Sequence, residues 1–189
     1  MRLGTALAVA LALAGCSADY VEDSEATVLL VVASINDGKT IASDVRGDGG
    51  TITNCSVQVK LAAPLKNPKN PGSVTENILL QRYDVSFSRA DGRGIEGVDV
   101  PYRFSAAMAA YVARGAETAI TVDIVRQQAK LEPPLSNITG KEIVEMIAHV
   151  TVYGQTVSRD SVSASGAVQI RFADYGTGTA TCEAGGSGS

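Results

Sequence analysis

Apolar and polar residues alternate with period two over most of the chain from residue 26 to residue 172. That spacing belongs to strands with one buried and one wet face. Thr53, Cys55, Val57, Val59 and Leu61 share one face, and Asn54, Ser56, Gln58 and Lys60 the other, so Cys55 points inward. Tyr83, Val85 and Phe87 face in, opposite Asp84, Ser86 and Ser88. The last third is the most regular. Ile120, Val122 and Ile124 alternate with Thr121 and Asp123, and Met146, Ala148, Val150 and Val152 with Ile147, His149, Thr151 and Tyr153. Val162, Ala164, Gly166, Val168, Ile170 and Phe172 then face away from Ser163, Ser165, Ala167, Gln169 and Arg171.

The breaks carry turn chemistry. Asn36-Asp37-Gly38-Lys39 and the glycine-rich stretch at 44–50 are turns, and three prolines between 64 and 71 cannot continue a ladder. Residues 89–99 form a further glycine-rich loop, and 100–104 a short edge strand. Over 105–114 alanine content favours helix, whereas the alternation of Ala106, Met108, Ala110 and Val112 favours strand. The neighbouring strands and the turn at Arg114-Gly115-Ala116-Glu117 decide for strand. Residues 130–135 read as a loop, and 139–143 as the start of a short helical turn. The expectation is an all-β protein, a single antiparallel β-sandwich of seven or eight strands. Its closing hairpin resembles the last strands of immunoglobulin-like and fibronectin type III-like modules, without the tryptophan or the cysteine spacing of an antibody domain.

The N-terminus has a different pattern. Met1-Arg2 precedes an apolar run from Leu3 to Leu13, the layout of an export signal. The run is shorter than the roughly 20 residues a spanning helix needs. It ends Leu13-Ala14-Gly15-Cys16, which resembles the lipobox of bacterial lipoproteins. The resemblance implies cleavage before Cys16, a diacylglyceryl group on its thiol, and acylation (typically palmitate) of its new amino group. Ser17 rather than aspartate follows the cysteine, which by the same resemblance points to the outer membrane. The expected organisation is a lipoprotein signal peptide at 1–15, an acidic tether at 16–25, the sandwich at 26–175, and a frayed Gly/Ser/Thr-rich tail at 176–189.

That assignment changes the cysteine count. With Cys16 carrying lipid, Cys55 and Cys182 remain as an even pair in an oxidising compartment, and a disulfide is expected between them. The 174 residues left after cleavage suffice for one core. A net charge of −4 with no basic block gives no electrostatic footprint for nucleic acid. No tryptophan is present, which weighs against sugar-stacking surfaces, and the single histidine weighs against a Cys/His zinc site.

Candidate chemistry is sparse. Asp91, Glu96 and Asp99 lie among glycines and are weak calcium candidates, since carboxylates in flexible loops suit that ion; their spacing is not that of an EF-hand. The glycines at 47–50 lack the following Lys-Ser/Thr of a phosphate cradle. His149 sits on an outward register, and no Gly-x-Ser-x-Gly elbow accompanies it. Ile147, Thr151, Tyr153, Ala167 and Gln169 form a moderately apolar outer stripe, read as cover for the loop at 130–140 in preference to a docking surface. No cofactor and no catalytic residue are assigned. The expectation is a lipid-anchored, non-enzymatic envelope lipoprotein that binds or scaffolds another envelope component, with an envelope protein as the expected partner. A loop-based calcium or small-ligand binder is the alternative, and a hydrolase a weaker one.

Overall fold

The computed structural model describes residues 26–47, 50–67, 69, 73–140, 142–176 and 181–184. The export signal, Cys16 and the tether lie outside these residues, as does most of the tail. The described part is mostly β: nine strands in two sheets with one short α-helix. In chain order they are β1 (Val31–Ile35), β2 (Ile41–Asp44), β3 (Cys55–Ala62), β4 (Ile78–Arg89), β5 (Phe104–Val112), β6 (Glu117–Val125), α1 (Gln127–Leu131), β7 (Val144–Thr156), β8 (Ser161–Ala173) and β9 (Thr181–Ala184). The smaller sheet runs β1-β3-β6. The larger, curled sheet runs β5-β4-β7-β8-β2-β9.

The long alternating strands lie where the pattern puts them. Met146, Ala148, Val150 and Val152 of β7 and Val162, Ala164, Val168 and Ile170 of β8 are buried. They meet Val57, Val59 and Leu61 of β3 and Ile120, Val122 and Ile124 of β6 in one core. The sheets approach closely at Gly166, where an added Cβ would lie 2.8 Å from Val32 Cγ1 and 3.1 Å from Ile35 Cδ1. Here glycine is required by contact between layers. Residues 105–112 are strand, as the alternation indicated.

Several expectations need correction. The described strands number nine, not seven or eight. The sheets are not wholly antiparallel, because β2 pairs in parallel with β8, Ile41 opposite Ile170 and Ser43 opposite Phe172. The tail is not frayed throughout: β9 adds antiparallel to β2. Residues 101–103 are not strand, and β5 starts at Phe104. The helix falls at Gln127–Leu131 rather than at 139–143. Strands β2 and β9 have four residues each, too few to display a period, and they form because tertiary partners are in place.

Cys55 and Cys182 are disulfide-bonded. The bond joins the first residue of β3, in the smaller sheet, to β9 at the rim of the larger one. Cys55 is fully buried, so the link ties the two sheets together along the β2/β9 side.

The strand directions define two ends. Thr27, the turns at 113–116 and 157–160, and residues 63–67 and 73–77 gather at one. The loop at 89–103, α1 and the disulfide lie at the other. The N-terminal end is tied down: Thr27 Oγ1 donates to Glu76 Oε1, and Glu76 Oε2 accepts from the Ser73 N–H at 2.8 Å in a capping box. These hydrogen bonds, the one from Thr27 first, hold the Glu76 carboxyl below its ordinary range.

Candidate functional site

The far end is built on the loop that joins β4 to β5. Val100 is buried and anchors it, and a Gly97 N–H to Val100 carbonyl bond of 2.8 Å folds it back. Gly97 has φ +75°, a torsion that favours glycine, and an added Cβ would lie against the tip of the exposed Tyr102 side chain. With the backbone spent internally, the loop projects the apolar side chains of Ile95, Val98 and Tyr102 into solvent.

Arg93 pairs with Asp91 and reaches Asp99 Oδ1 at 3.8 Å, whereas Glu96 has a different partner. Asp91 Oδ2 accepts from Arg93 Nε at 2.8 Å, and its Oδ1 from the Arg93 N–H at 3.1 Å. The hydrogen bond to the Arg93 side chain, above all, holds the Asp91 carboxyl below its usual range. Glu96 pairs with Arg103 Nε at 2.5 Å. Asp99 Oδ2 accepts from the Ile95 N–H at 3.2 Å. Among the described residues no three His, Cys, Asp or Glu side chains converge on a point that could hold a metal ion. The loop acids thus brace the loop, each neutralised by an arginine or a backbone donor.

Two adjoining grooves lie beside this loop on the outer face of the larger sheet. One, of about 570 Å³, is lined by Arg89, Ala90, Asp91, Ile143, Glu145 and Arg171. The other, of about 290 Å³, includes Ala90, Met146, Ile147, Ala167 and Gln169 in its lining. Glu145 borders both, and its Oε1 accepts from Arg171 Nε at 2.8 Å. The rim is therefore charged and the floor apolar. Ile147, Ala167 and Gln169 of the outer stripe form part of that floor. They are not covered by the segment at 130–140, which sinks Leu135 and Ile138 into the core and is clasped by Arg46 at the Ser136 and Ile138 carbonyls.

His149 is outward and exposed, and its Nε2 lies 2.8 Å from Ser88 Oγ. The β4–β7 register sets Ser86 directly opposite His149 and makes Ser88 a diagonal neighbour. Ser88 was not singled out from the sequence. Its outward position two residues after Ser86 is the only signal, and sixty-one residues separate the partners. A serine–histidine pair acts as nucleophile and base only with an orienting group on the other ring nitrogen and donors for an oxyanion. Among the described residues no hydrogen bond reaches His149 Nδ1.

A second polar cluster lies under α1. Lys130 is almost completely buried, and burial lowers its ammonium pKa while the charge of Asp44 opposes that shift. Asp44 itself is buried, with Oδ1 accepting from the N–H groups of Arg46 (2.9 Å) and Gly47 (3.1 Å). Neighbouring Ser43 is fully buried with no partner for its hydroxyl. Neither Lys130 nor Ser43 lines the grooves described above.

No family model matches the chain, and no curated protein matches it in sequence. Among solved structures it is similar to the solution structure of a protein described as late embryogenesis abundant, at 13% identity. That match has a TM-score of 0.41 and covers 79% of this chain and 73% of the other.

Proposed function

We propose that this chain is a non-enzymatic lipoprotein of the cell envelope, held to the membrane through lipid on Cys16. Its immunoglobulin-like sandwich binds or scaffolds another envelope protein at the far end. The observation that carries the reading is the far-end surface itself. Ile143 is exposed in the charged groove that adjoins an apolar one, and Ile95, Val98 and Tyr102 are exposed on the loop at the same end, opposite the N-terminal exit. Exposed apolar side chains clustered around a groove are a feature of protein-binding surfaces. The disulfide supports an oxidising compartment. The finer placement, at the outer membrane, rests on Ser17 after the cysteine.

The experiment is site-specific photocrosslinking in intact cells from position 143 or 98, with and without Tyr102→Asp. A discrete adduct that Tyr102→Asp removes is the expected result. Absence of any adduct from both positions counts against the reading. Cys16→Ser is expected to abolish lipid labelling, and persistent processing and membrane retention of that variant would overturn the anchor. A saturable calorimetric response to calcium, lost in Asp91→Ala/Asp99→Ala, would replace protein binding with ion binding.

A further inference from the structure

The end of the sandwich nearest the chain's entry has its own exposed apolar cluster. Leu79 on β4 lies opposite Tyr111 on β5 and Gln155 on β7, all on the outer face. Just beyond, the Val157 N–H bonds the Asn77 carbonyl and the Ser158 N–H bonds the Thr75 carbonyl. The turn at 157–158 therefore lies alongside the 3-10 turn Val74–Glu76. Leu79 and Tyr111 are about half exposed, Val157 is 50% exposed and Val74 is 72% exposed. None of the four is needed to complete the core, and two stand on turns where polar residues would serve equally well.

Basic residues surround the cluster. Lys66, Lys69, Arg114 and Arg159 all lie on the connections at this end, with the Arg114 N–H donating to Asn77 Oδ1. The described acids on these connections are Glu76, Glu117 and Asp160; Asp19, Glu22, Asp23 and Glu25 of the expected tether lie outside the described residues. Glu76 is buried, and Asp160 Oδ2 already accepts from Thr156 (3.1 Å) and Ser158 (3.0 Å). Among the described residues of this end, Lys69 and Arg159 are exposed and Lys66 and Arg114 half-buried, against one exposed acid, Glu117.

The chain's course determines what this end faces. Thr27 is fixed here by Glu76 and by the Lys66 N–H, which donates to the Thr27 carbonyl at 2.9 Å. Ten peptide links separate Ala26 from Cys16. Fully extended they reach at most about 35 Å, and a flexible chain of that length averages about 17 Å. A sandwich anchored at Cys16 has this end confined close to the lipid surface. Aliphatic and aromatic side chains ringed by Lys and Arg are the composition that enters an interface of anionic headgroups.

We propose that this end is a membrane-facing surface, with Val74, Leu79, Tyr111 and Val157 seated among lipid headgroups and the basic rim against anionic lipid. The proposal rests on the lipid-anchor reading. The sandwich then stands on its N-terminal end and presents the grooved end outward.

The chain contains no tryptophan, so one introduced residue is a unique reporter. Val74→Trp, Val157→Trp and Ile95→Trp each alter an exposed position, and Ile95 belongs to the opposite end. Each is prepared as the mature protein, weighed to establish acylation of Cys16, and reconstituted into phosphatidylcholine/phosphatidylglycerol vesicles with brominated acyl chains. The expected result is a blue-shifted emission from Val74→Trp and Val157→Trp, quenched several-fold more strongly than that of Ile95→Trp. Equal quenching at both ends, or none at either, overturns the surface while leaving the anchor intact. A mature chain with no acyl mass on Cys16 overturns the anchor, and the proposal with it.

Discussion

Replacing Cys55 and Cys182 together by alanine removes the disulfide cross-link between the two sheets and is expected to be strongly destabilising. The bond closes a loop of 127 residues. The chain-entropy relation assigns such a loop about 5 kcal/mol at 25 °C, and native disulfides in practice contribute roughly 2–5 kcal/mol. Losing the buried sulfur of Cys55 adds a smaller packing cost, on the order of 1 kcal/mol. In a domain of this size each kcal/mol lowers Tm by about 2–4 °C. The assay is urea unfolding of three samples: oxidised wild type, reduced wild type and the double variant. The reduced protein keeps both sulfurs, so its difference from the variant isolates packing, and its difference from the oxidised form isolates the cross-link. Hydrogen exchange supplies a local measurement. Strand β2 lies between β8 and β9, and β9 has only β2 beside it, so amides of β9 are expected to lose protection before those of β7 and β8. A reduced protein within about 0.5 kcal/mol of the oxidised one would refute the assignment of the disulfide as the clamp on the β2/β9 side.

Three other perturbations test separate parts of the fold. Lys130→Met is expected to stabilise the protein at pH 7 by about 1 kcal/mol, because it removes a desolvated charge while Asp44 keeps its two backbone donors. The folded pKa of Lys130 lies below the unfolded value of 10.5, so wild-type stability rises as pH climbs through the folded pKa towards 10.5; the Met variant should lack that rise, and chemical unfolding over this alkaline range checks it. Thr27→Val removes the donor to Glu76, and the carboxyl is expected to titrate higher by NMR. With the folded pKa depressed, the wild-type contribution is present above the unfolded pKa and is lost as pH falls through the folded one, so the variant should lose less stability on acidification. Gly154→Ala would set a Cβ 2.7 Å from the Leu79 carbonyl oxygen; thermal unfolding should show a loss of about 1–3 kcal/mol, and an unchanged Tm would mean the β4–β7 spacing is slack.

What could be read from the sequence follows from strand length and neighbourhood. β7 and β8 run thirteen residues each with one face buried throughout, so their period repeats often enough to fix side and register. β5 was legible for the same reason despite its alanines, because alternation identifies the face even where propensity points to helix. β2 and β9 gave no such signal. Their strand character comes from the ladder on β8 and the bond to Cys55, neither of which leaves a local pattern. The parallel pairing of β2 with β8 is likewise a property of the chain's return path, not of residues 41–44.

The same distinction governs the far-end surface. Sequence could place Asp91, Glu96 and Asp99 in one glycine-rich loop, and composition alone made calcium a candidate. It could not assign an acceptor to each donor. Arg93 takes up Asp91 and reaches Asp99, which also holds the loop's own backbone, and Arg103 takes up Glu96. Neutralised in this way, the acids let the loop stay ordered while its apolar residues point outward. The apolar residues of the tethered end are arranged differently, on turns within a basic surround. Under the proposed reading the two ends face different neighbours, lipid at the end nearer Cys16 and protein at the grooved end. A single anchor at one end is sufficient to orient the molecule only if that end also touches the membrane. On the proposed membrane-facing arrangement the side chains of Val74 and Val157 would supply that contact, and through it the tether would fix the direction in which the grooves face.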